Sequence, residues 1–170
     1  PVSVGVLGVQ QDAAAGEGST ELFVGRAAVN VLEESSLGAI VTSGNPDPTS
    51  DNGLVGVDFR YLNTRLGDDR SIEATAWFQQ TDTEGLDGDD AGYGFSFAVP
   101  NSEGWSGEIV FKSLQENYNP ALGFAARTDF EAAFGGLGYT WRPENSWIRS
   151  VETEVGAEFV EPINGSDRNH

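Results

Sequence analysis

The sequence predicts an all-β fold, an antiparallel up-and-down meander of about nine strands. Three observations predict it. Apolar residues recur with a period of two almost everywhere, several alternating segments reach ten or more residues, and the polar connections alternate between short and long. A tilted strand needs about 9–11 residues to cross a bilayer, whereas strands of soluble sheets average about 5–6. Residues 1–170 are therefore interpreted as one outer-membrane-type β-barrel domain or a segment of such a barrel.

The alternation is clearest in four segments: 53–66, 71–83, 91–100 and 147–161. In the first of them, Val55, Val57 and Phe59 share one face, and Asp58 and Arg60 share the other. No segment shows an apolar stripe with the 3.6-residue period of a helix and the capping residues that would end it. The predicted elements are therefore all strands.

The connections between the predicted strands are of two kinds. Long polar connections are predicted near 11–20, 44–53, 83–90 and 116–126, and short ones at 33–35, 67–69, 101–104 and 143–146. Outer-membrane barrels carry tight turns at the periplasmic rim and longer loops at the outer rim. A sandwich with Greek-key connections has no reason to alternate in this way.

Each spanning strand is expected to present apolar side chains to lipid and polar ones to the lumen. The residues predicted to face lipid are Val55, Val57, Phe59, Ile72, Ala76, Phe78, Phe95, Phe97, Ile109, Phe111, Val151 and Val155. The residues predicted to face the lumen are Arg26, Asn30, Asp58, Arg60, Glu73, Gln79, Glu108, Lys112, Glu152 and Glu154.

Aromatic residues near strand ends are expected to anchor a barrel at the membrane interfaces. The candidates are Tyr61, Trp105, Tyr139, Trp141 and Trp147. The alternative is that they close the edge of a soluble core. The pair Gly135-Gly136 interrupts the apolar alternation between Phe130 and Tyr139, which predicts a β-bulge.

Composition excludes several classes of function. The chain has no Cys, and its one His is His170, so a Ser-His-Asp site has no base to use and a zinc site has almost no suitable ligands. A net charge of −18 makes nucleic acid an unsuitable partner and argues against a basic helix lying on anionic lipid. No run approaches the ~18 apolar residues of a spanning helix. The beginning at Pro1 is interpreted as a processed chain or a piece of a longer one.

Several motifs resemble a bacterial family. They are Asn117-Tyr118-Asn119-Pro120-Ala121-Leu122-Gly123-Phe124 with Arg127-Thr128-Asp129, and the shorter runs at 23–26, 36–38, 57–60 and 79–83. Together they are similar to uncharacterised membrane-associated proteins in which a family-nine carbohydrate-binding-like domain precedes a C-terminal outer-membrane barrel of unknown function. The resemblance covers most of 20–160 and implies a barrel, with no catalytic residues assigned.

Two acidic loops are candidates for calcium binding, because Ca²⁺ takes several carboxylate and carbonyl oxygens. The candidate ligands are Asp47, Asp51, Asp87, Asp89 and Asp90. Neither loop has the EF-hand spacing. The alternatives are that the loops are simply solvated, or that divalent ions bridge them to lipid headgroups. No other cofactor is predicted.

Three functions are weighed for this chain. The first is a structural or transport-related segment of a bacterial outer-membrane barrel, without catalysis of its own, whose partners are lipid and other parts of a larger barrel. The second is a secreted or periplasmic β-domain that binds carbohydrate. The third is a glycoside hydrolase that uses two of the predicted lumen carboxylates. The alternative role for these carboxylates is a ladder of ion pairs with basic residues, or a pore lining that prefers cations. Residues 117–129 are expected to fold into the barrel mouth, with Arg127 and Asp129 on one face.

Overall fold

A computed structural model describes residues 1–12, 19–66, 70–144 and 147–164. Within these ranges the chain is all-β and forms a single antiparallel sheet of nine strands, as predicted. The strands are β1 (Val2–Gln11), β2 (Thr20–Val31), β3 (Ser35–Ser43), β4 (Asn52–Asn63), β5 (Ile72–Thr83), β6 (Ala91–Val99), β7 (Gly104–Leu114), β8 (Phe130–Trp141) and β9 (Val151–Glu161). None of the described residues forms a helix with the length and hydropathy of a membrane crossing.

The sheet is an up-and-down meander in which every strand pairs with its neighbours in sequence. The order is β1 to β9 without a crossover, and β1 and β9 do not pair with each other, so the described sheet is open. Each open edge leaves a row of backbone N–H and C=O groups without a strand partner. Side chains of both edge strands are exposed along their whole length.

The register is staggered progressively from strand to strand. One row of directly paired residues begins at Ala27, seven residues inside β2, and runs through Val57 and Tyr93 to Glu161, the last residue of β9. Over the seven steps from β2 to β9, the row therefore moves toward the loop-rim ends of the strands by about one residue per strand. Strands staggered in this way are tilted relative to the edges of the sheet, as in the wall of a barrel.

Side chains alternate between two faces, which differ in what lies over them. We call residues 115–129 the inserted loop, because this connection folds back over one face of the sheet, where Tyr118 donates a hydrogen bond to Gln79. That face is the loop-covered face, and the opposite one is the bare face. All ten residues predicted to face a lumen share the loop-covered face: Arg26, Asn30, Asp58, Arg60, Glu73, Gln79, Glu108, Lys112, Glu152 and Glu154.

The residues predicted to face lipid share the bare face, and the large apolar side chains on that face are exposed. Val55, Val57 and Ile109 are 57%, 53% and 51% exposed. The full set comprises Val55, Val57, Phe59, Ile72, Ala76, Phe78, Phe95, Phe97, Ile109, Phe111, Val151 and Val155. The two faces of the sheet therefore differ: one carries the polar side chains and the inserted loop, and the other is apolar and uncovered.

The bulge predicted at Gly135-Gly136 is wrong. Strand β8 pairs one residue for one with both β7 and β9 through these positions. The alternation breaks because Phe134 lies on the loop-covered face, where its ring lies across Gly136 and Gly156. A Cβ atom at either glycine would lie 3.2–3.3 Å from that ring. The glycines make room for an aromatic ring and do not shift the register.

Connections of the meander meet at two rims. The described residues of the loop-rim connections are 12, 19, 44–51, 84–90 and 115–129, and those of the turn-rim connections are 32–34, 64–66, 70–71, 100–103, 142–144 and 147–150. The lengths alternate less sharply than predicted, because 64–71 spans as many positions as 44–51. The predicted turn at 67–69 and the end of that at 143–146 lie outside the described residues. The two rims differ more clearly in charge than in the lengths of their connections.

Candidate functional site

The inserted loop is anchored on strands β4 and β5 through its backbone. Thr81, which is 1% exposed, accepts a hydrogen bond from the N–H of Asn119 at 3.1 Å and donates to the carbonyl of Asp90 at 3.0 Å. Asn52, which is also buried, donates to the carbonyl of Asn119 at 2.9 Å and to the Thr83 hydroxyl at 2.7 Å. Both backbone groups of one loop residue are thus held by buried side chains, which fixes the loop against the sheet.

Tyr118 is the apolar anchor of the same loop. It is 6% exposed and packs with Leu114 and Phe130 in the buried cluster of the sheet. Gly92 lies beneath it, and a Cβ there would come within 3.1 Å of the tyrosine ring. Burial raises the pKa of the Tyr118 phenol, so it stays a neutral donor to Gln79. Residues 117–129 fold back over one face of the sheet, and their expected place in a barrel mouth stays a prediction. Arg127 and Asp129 precede β8 and do not pair.

Two ion pairs cross the loop-covered face on strands β2 to β5. Arg26 forms a bidentate pair with Asp58, at 2.8 and 3.0 Å, across the intervening strand β3. Gly38 lies between them, and a Cβ there would lie 2.6 Å from the Asp58 carboxylate. Arg60 pairs with Glu73 at 2.8 Å. The predicted charged residues on these four strands are therefore neutralised in pairs.

The carboxylates on strands β7 to β9 have no such partners. Glu108, Glu152 and Glu154 line an open recess of about 480 Å³ that also includes Ser106 and Thr140. None of these three carboxylates forms an ion pair within the described ranges. The structure thus divides the predicted charge ladder into a paired half and an acidic half.

Predicted interface aromatics gather at one rim of the bare face. Trp105 and Tyr139 are directly paired, with ring centroids 5.0 Å apart, and Trp141 and Tyr61 lie on the same face near the same rim. Trp147 lies in the 142–150 connection and is 92% exposed. The structure therefore brings four of the five candidates to the turn-rim end of the bare face.

The predicted calcium ligands all lie at the loop rim. Asp47 caps its own loop, where its carboxylate accepts hydrogen bonds from the Thr49 hydroxyl at 2.7 Å and the Thr49 N–H at 3.0 Å. These bonds lower the pKa of Asp47. Asp90 accepts from Gln80 at 3.2 Å. Among the residues that the structure describes, no three Asp, Glu or His side chains come together as a metal site. Calcium binding by Asp47, Asp51, Asp87, Asp89 and Asp90 stays a prediction.

The two rims differ in charge. Arg127 is the basic residue of the described loop rim, where the acidic residues are Asp12, Glu21, Asp47, Asp51, Asp82, Glu84, Asp87, Asp89, Asp90, Glu116, Asp129, Glu131 and Glu161. The described turn rim is nearer to balance: it carries the acidic residues Glu33, Glu34, Glu73, Glu103, Glu144 and Glu152 and the basic residues Arg65, Arg70, Arg142 and Arg149. There Glu34 accepts hydrogen bonds from the Thr64 N–H and hydroxyl, and these bonds lower its pKa.

Sequence reasoning missed the residues that fix the inserted loop. Thr81 and Asn52 looked like ordinary strand ends, and nothing in a period-two pattern marks a polar residue that will be buried by a loop. The signal that was available is the Asn119-Pro120 turn, which indicated a defined loop without indicating its contacts.

Comparison of the chain with family models, curated proteins and solved structures finds no match. The family resemblance of the Asn117–Asp129 motif therefore stays a prediction.

Proposed function

We propose that this chain forms part of the wall of a bacterial outer-membrane β-barrel with a structural or transport-related role. The bare face would contact lipid, and the loop-covered face would line the lumen. The loop rim would face outward, because longer loops mark the outer rim of such barrels.

The observation that carries the proposal is the distribution of charge between the faces. On the described bare face the charged side chains are Glu21, Asp82, Glu131 and Glu161, and each is the terminal residue of its strand at the loop rim or the neighbour of that residue. Every Asp, Glu, Lys and Arg side chain nearer the strand centres lies on the loop-covered face. A charge at mid-bilayer is costly, whereas one in a wet lumen is not.

Strand geometry supports the same proposal. A drift of one residue, about 3.3 Å, per strand spacing of about 4.8 Å corresponds to a strand tilt of about 35°. Barrel strands tilt by about 35–45°. The strands contain 9 to 12 residues, which matches the ~9–11 residues of a tilted crossing.

The open edges of β1 and β9 also bear on the proposal. Within hydrocarbon, unpaired backbone groups cost several kcal/mol each, so a spanning sheet has to close. We therefore propose that further strands of a larger barrel pair with both edges. The inserted loop, held on the loop-covered face by Tyr118 and Asn119, would narrow the lumen beneath the outer rim.

Membrane extraction tests the proposal most simply. The full native protein that carries this segment should fractionate with membranes, require detergent, and migrate faster on a gel before boiling than after it. The last property reports a closed barrel that resists the gel detergent. A protein that is monodisperse in water without detergent, with one mobility at both temperatures, would contradict the proposal.

A further inference from the structure

The inserted loop roofs a recess on the loop-covered face. The recess has a volume of about 550 Å³ and lies between the loop and strands β5 and β7 to β9. This volume is within the ~300–1,000 Å³ range of small-molecule sites. The lining residues on which the argument depends are Trp77, Lys112, Phe124, Arg127, Phe130 and Glu158.

Two cations of the recess share one aromatic ring. The Nζ atom of Lys112 lies 5.1 Å from the centroid of Phe130, and the Cζ atom of Arg127 lies 4.3 Å from it. Neither cation forms an ion pair in the described part of the chain, in contrast to Arg26 and Arg60 on the same face. The ring positions both charges without accepting their hydrogen bonds, so their N–H groups stay free to donate.

These unpaired cations are unexpected in a chain with a net charge of −18. Carboxylates are abundant on the same face, and one of them, Glu158, lines the same recess. The ring contact nevertheless holds Arg127 on Phe130 and not on a carboxylate. A position that keeps two positive charges available is suited to a negatively charged ligand.

The walls of the recess are aromatic. The Nε1 atom of Trp77 would lie 2.9 Å from a Cβ atom at Gly94, so the missing side chain lets the indole lie across strand β6. No described group accepts a hydrogen bond from that indole N–H. Phe124 of the inserted loop is 89% exposed, an unusual state for a phenylalanine held in a folded loop. Both rings offer apolar surface to a flat ligand.

We propose that this recess binds a small organic monoanion, a solute in which a carboxylate is attached to a ring. Lys112 and Arg127 would bind the carboxylate, and Trp77 and Phe124 would contact the ring. Glu158 disfavours a second negative charge and accepts a hydrogen bond from a ligand hydroxyl. The idea that such anions are the solutes that a barrel admits rests on the proposed function. Binding of the anion in the recess does not rest on it.

Isothermal titration of the detergent-solubilised full protein tests the proposal with two probes. Benzoate represents aromatic acids and galacturonate represents acidic sugars, with benzamide and galactose as their neutral counterparts. We expect saturable binding of at least one acid with a Kd of about 1 mM or tighter and none of its neutral counterpart. Binding of benzoate alone assigns aromatic acids, binding of galacturonate alone assigns acidic sugars, and binding of both assigns the carboxylate as the determinant.

Variants locate the site. Lys112→Gln and Arg127→Gln should each weaken binding about tenfold, because each removes a charged donor. Arg142→Gln removes the same charge at the turn rim and should change nothing. Glu158→Gln should tighten benzoate binding, since a negative charge leaves the wall.

The inference is overturned if neither acid binds, if the neutral compounds bind equally well, or if all the variants bind alike. A far-ultraviolet circular dichroism spectrum like that of the unchanged protein confirms that each variant is folded, whether or not the protein forms a barrel. Because the extraction experiment tests the barrel separately, loss of the recess and loss of the barrel are distinguishable outcomes.

Discussion

The two faces of this sheet differ in chemistry although their residues alternate one by one along the same strands. On β7, Ile109 and Val110 are neighbours of similar shape, yet Ile109 belongs to a face without central charges and Val110 to a face that carries Glu108 and Lys112. Backbone hydrogen bonding is the same for both, so the difference reflects the surroundings of each face. A continuous uncovered face with many exposed large apolar side chains is unusual for a soluble protein.

The largest expected effect comes from placing a charge at the centre of the bare face. Ile109→Arg should lower the free energy of unfolding in lipid vesicles by about 2–4 kcal/mol, the cost of an arginine near the midplane of a bilayer. Reversible urea unfolding of the full protein in vesicles measures this change.

Val110→Arg is the matched control for that substitution. The two side chains are 51% and 36% exposed on opposite faces, so the arginine differs mainly in what surrounds it. We expect Val110→Arg to cost less than about 1 kcal/mol in a wet lumen. Equal costs at the two positions would mean that both faces meet the same medium.

The inserted loop adds to the difference between the two faces, because it covers only the loop-covered face. Tyr118→Phe removes the donor to Gln79 and leaves a partly buried acceptor unpaired, which should cost about 1 kcal/mol. Limited trypsin digestion after Arg127 should become faster. Tyr139→Phe, on the bare face, has no side-chain hydrogen bond to lose within the described structure and should leave the digestion rate unchanged. A Tyr118→Phe protein that is digested at the original rate would show that this bond does not hold the loop.

The ion pair across β3 gives a smaller effect. An alanine in place of a strand glycine ordinarily stabilises by about 0.5–1 kcal/mol. At Gly38 the added Cβ would displace the Asp58 carboxylate and the Arg26 guanidinium, so the gain should be smaller by the worth of a partly exposed ion pair, about 0.2–1 kcal/mol. Gly53→Ala is the control, since its nearest contact, the Thr42 carbonyl, would lie 3.8 Å away. Gly53→Ala should therefore raise the free energy of unfolding more than Gly38→Ala does, and equal gains at the two positions would contradict the description of the ion pair.

The smallest effect is a pH dependence at the turn rim. Hydrogen bonds from Thr64 lower the pKa of Glu34 in the folded protein, so the contact is complete above the ordinary value of 4.5 and is lost as the pH falls through the lowered pKa. The hydrogen-exchange protection of the Thr64 amide should decrease on acidification in this range. In Glu34→Gln it should be low and independent of pH, and an unchanged protection profile in that variant would remove Glu34 as the cause.

Much of the fold could be predicted from the sequence, because period-two alternation depends on neighbouring residues alone. That is why Val55, Val57 and Phe59 could be separated from Asp58 and Arg60 without coordinates. Each of these residues keeps its predicted face throughout the described sheet.

Contacts between distant residues could not be predicted in the same way. The break at Gly135-Gly136 looked like a bulge because the sequence does not show that Phe134 lies across Gly156, a residue of the next strand. For the same reason the pairing of Arg26 with Asp58 over Gly38 was not foreseen. These contacts depend on register, which a single sequence does not specify.

Spin-label accessibility along β6 tests the central claim most directly. The chain has no Cys, so single cysteine substitutions from Tyr93 to Ala98 place one label at a time in vesicles that contain the full protein with any cysteine outside this segment replaced by serine. Labels at 93, 95 and 97 should be accessible to lipid-dissolved oxygen, and labels at 94, 96 and 98 to a water-soluble nickel reagent. Equal accessibility to the nickel reagent at all six positions would contradict a sheet with one face in lipid.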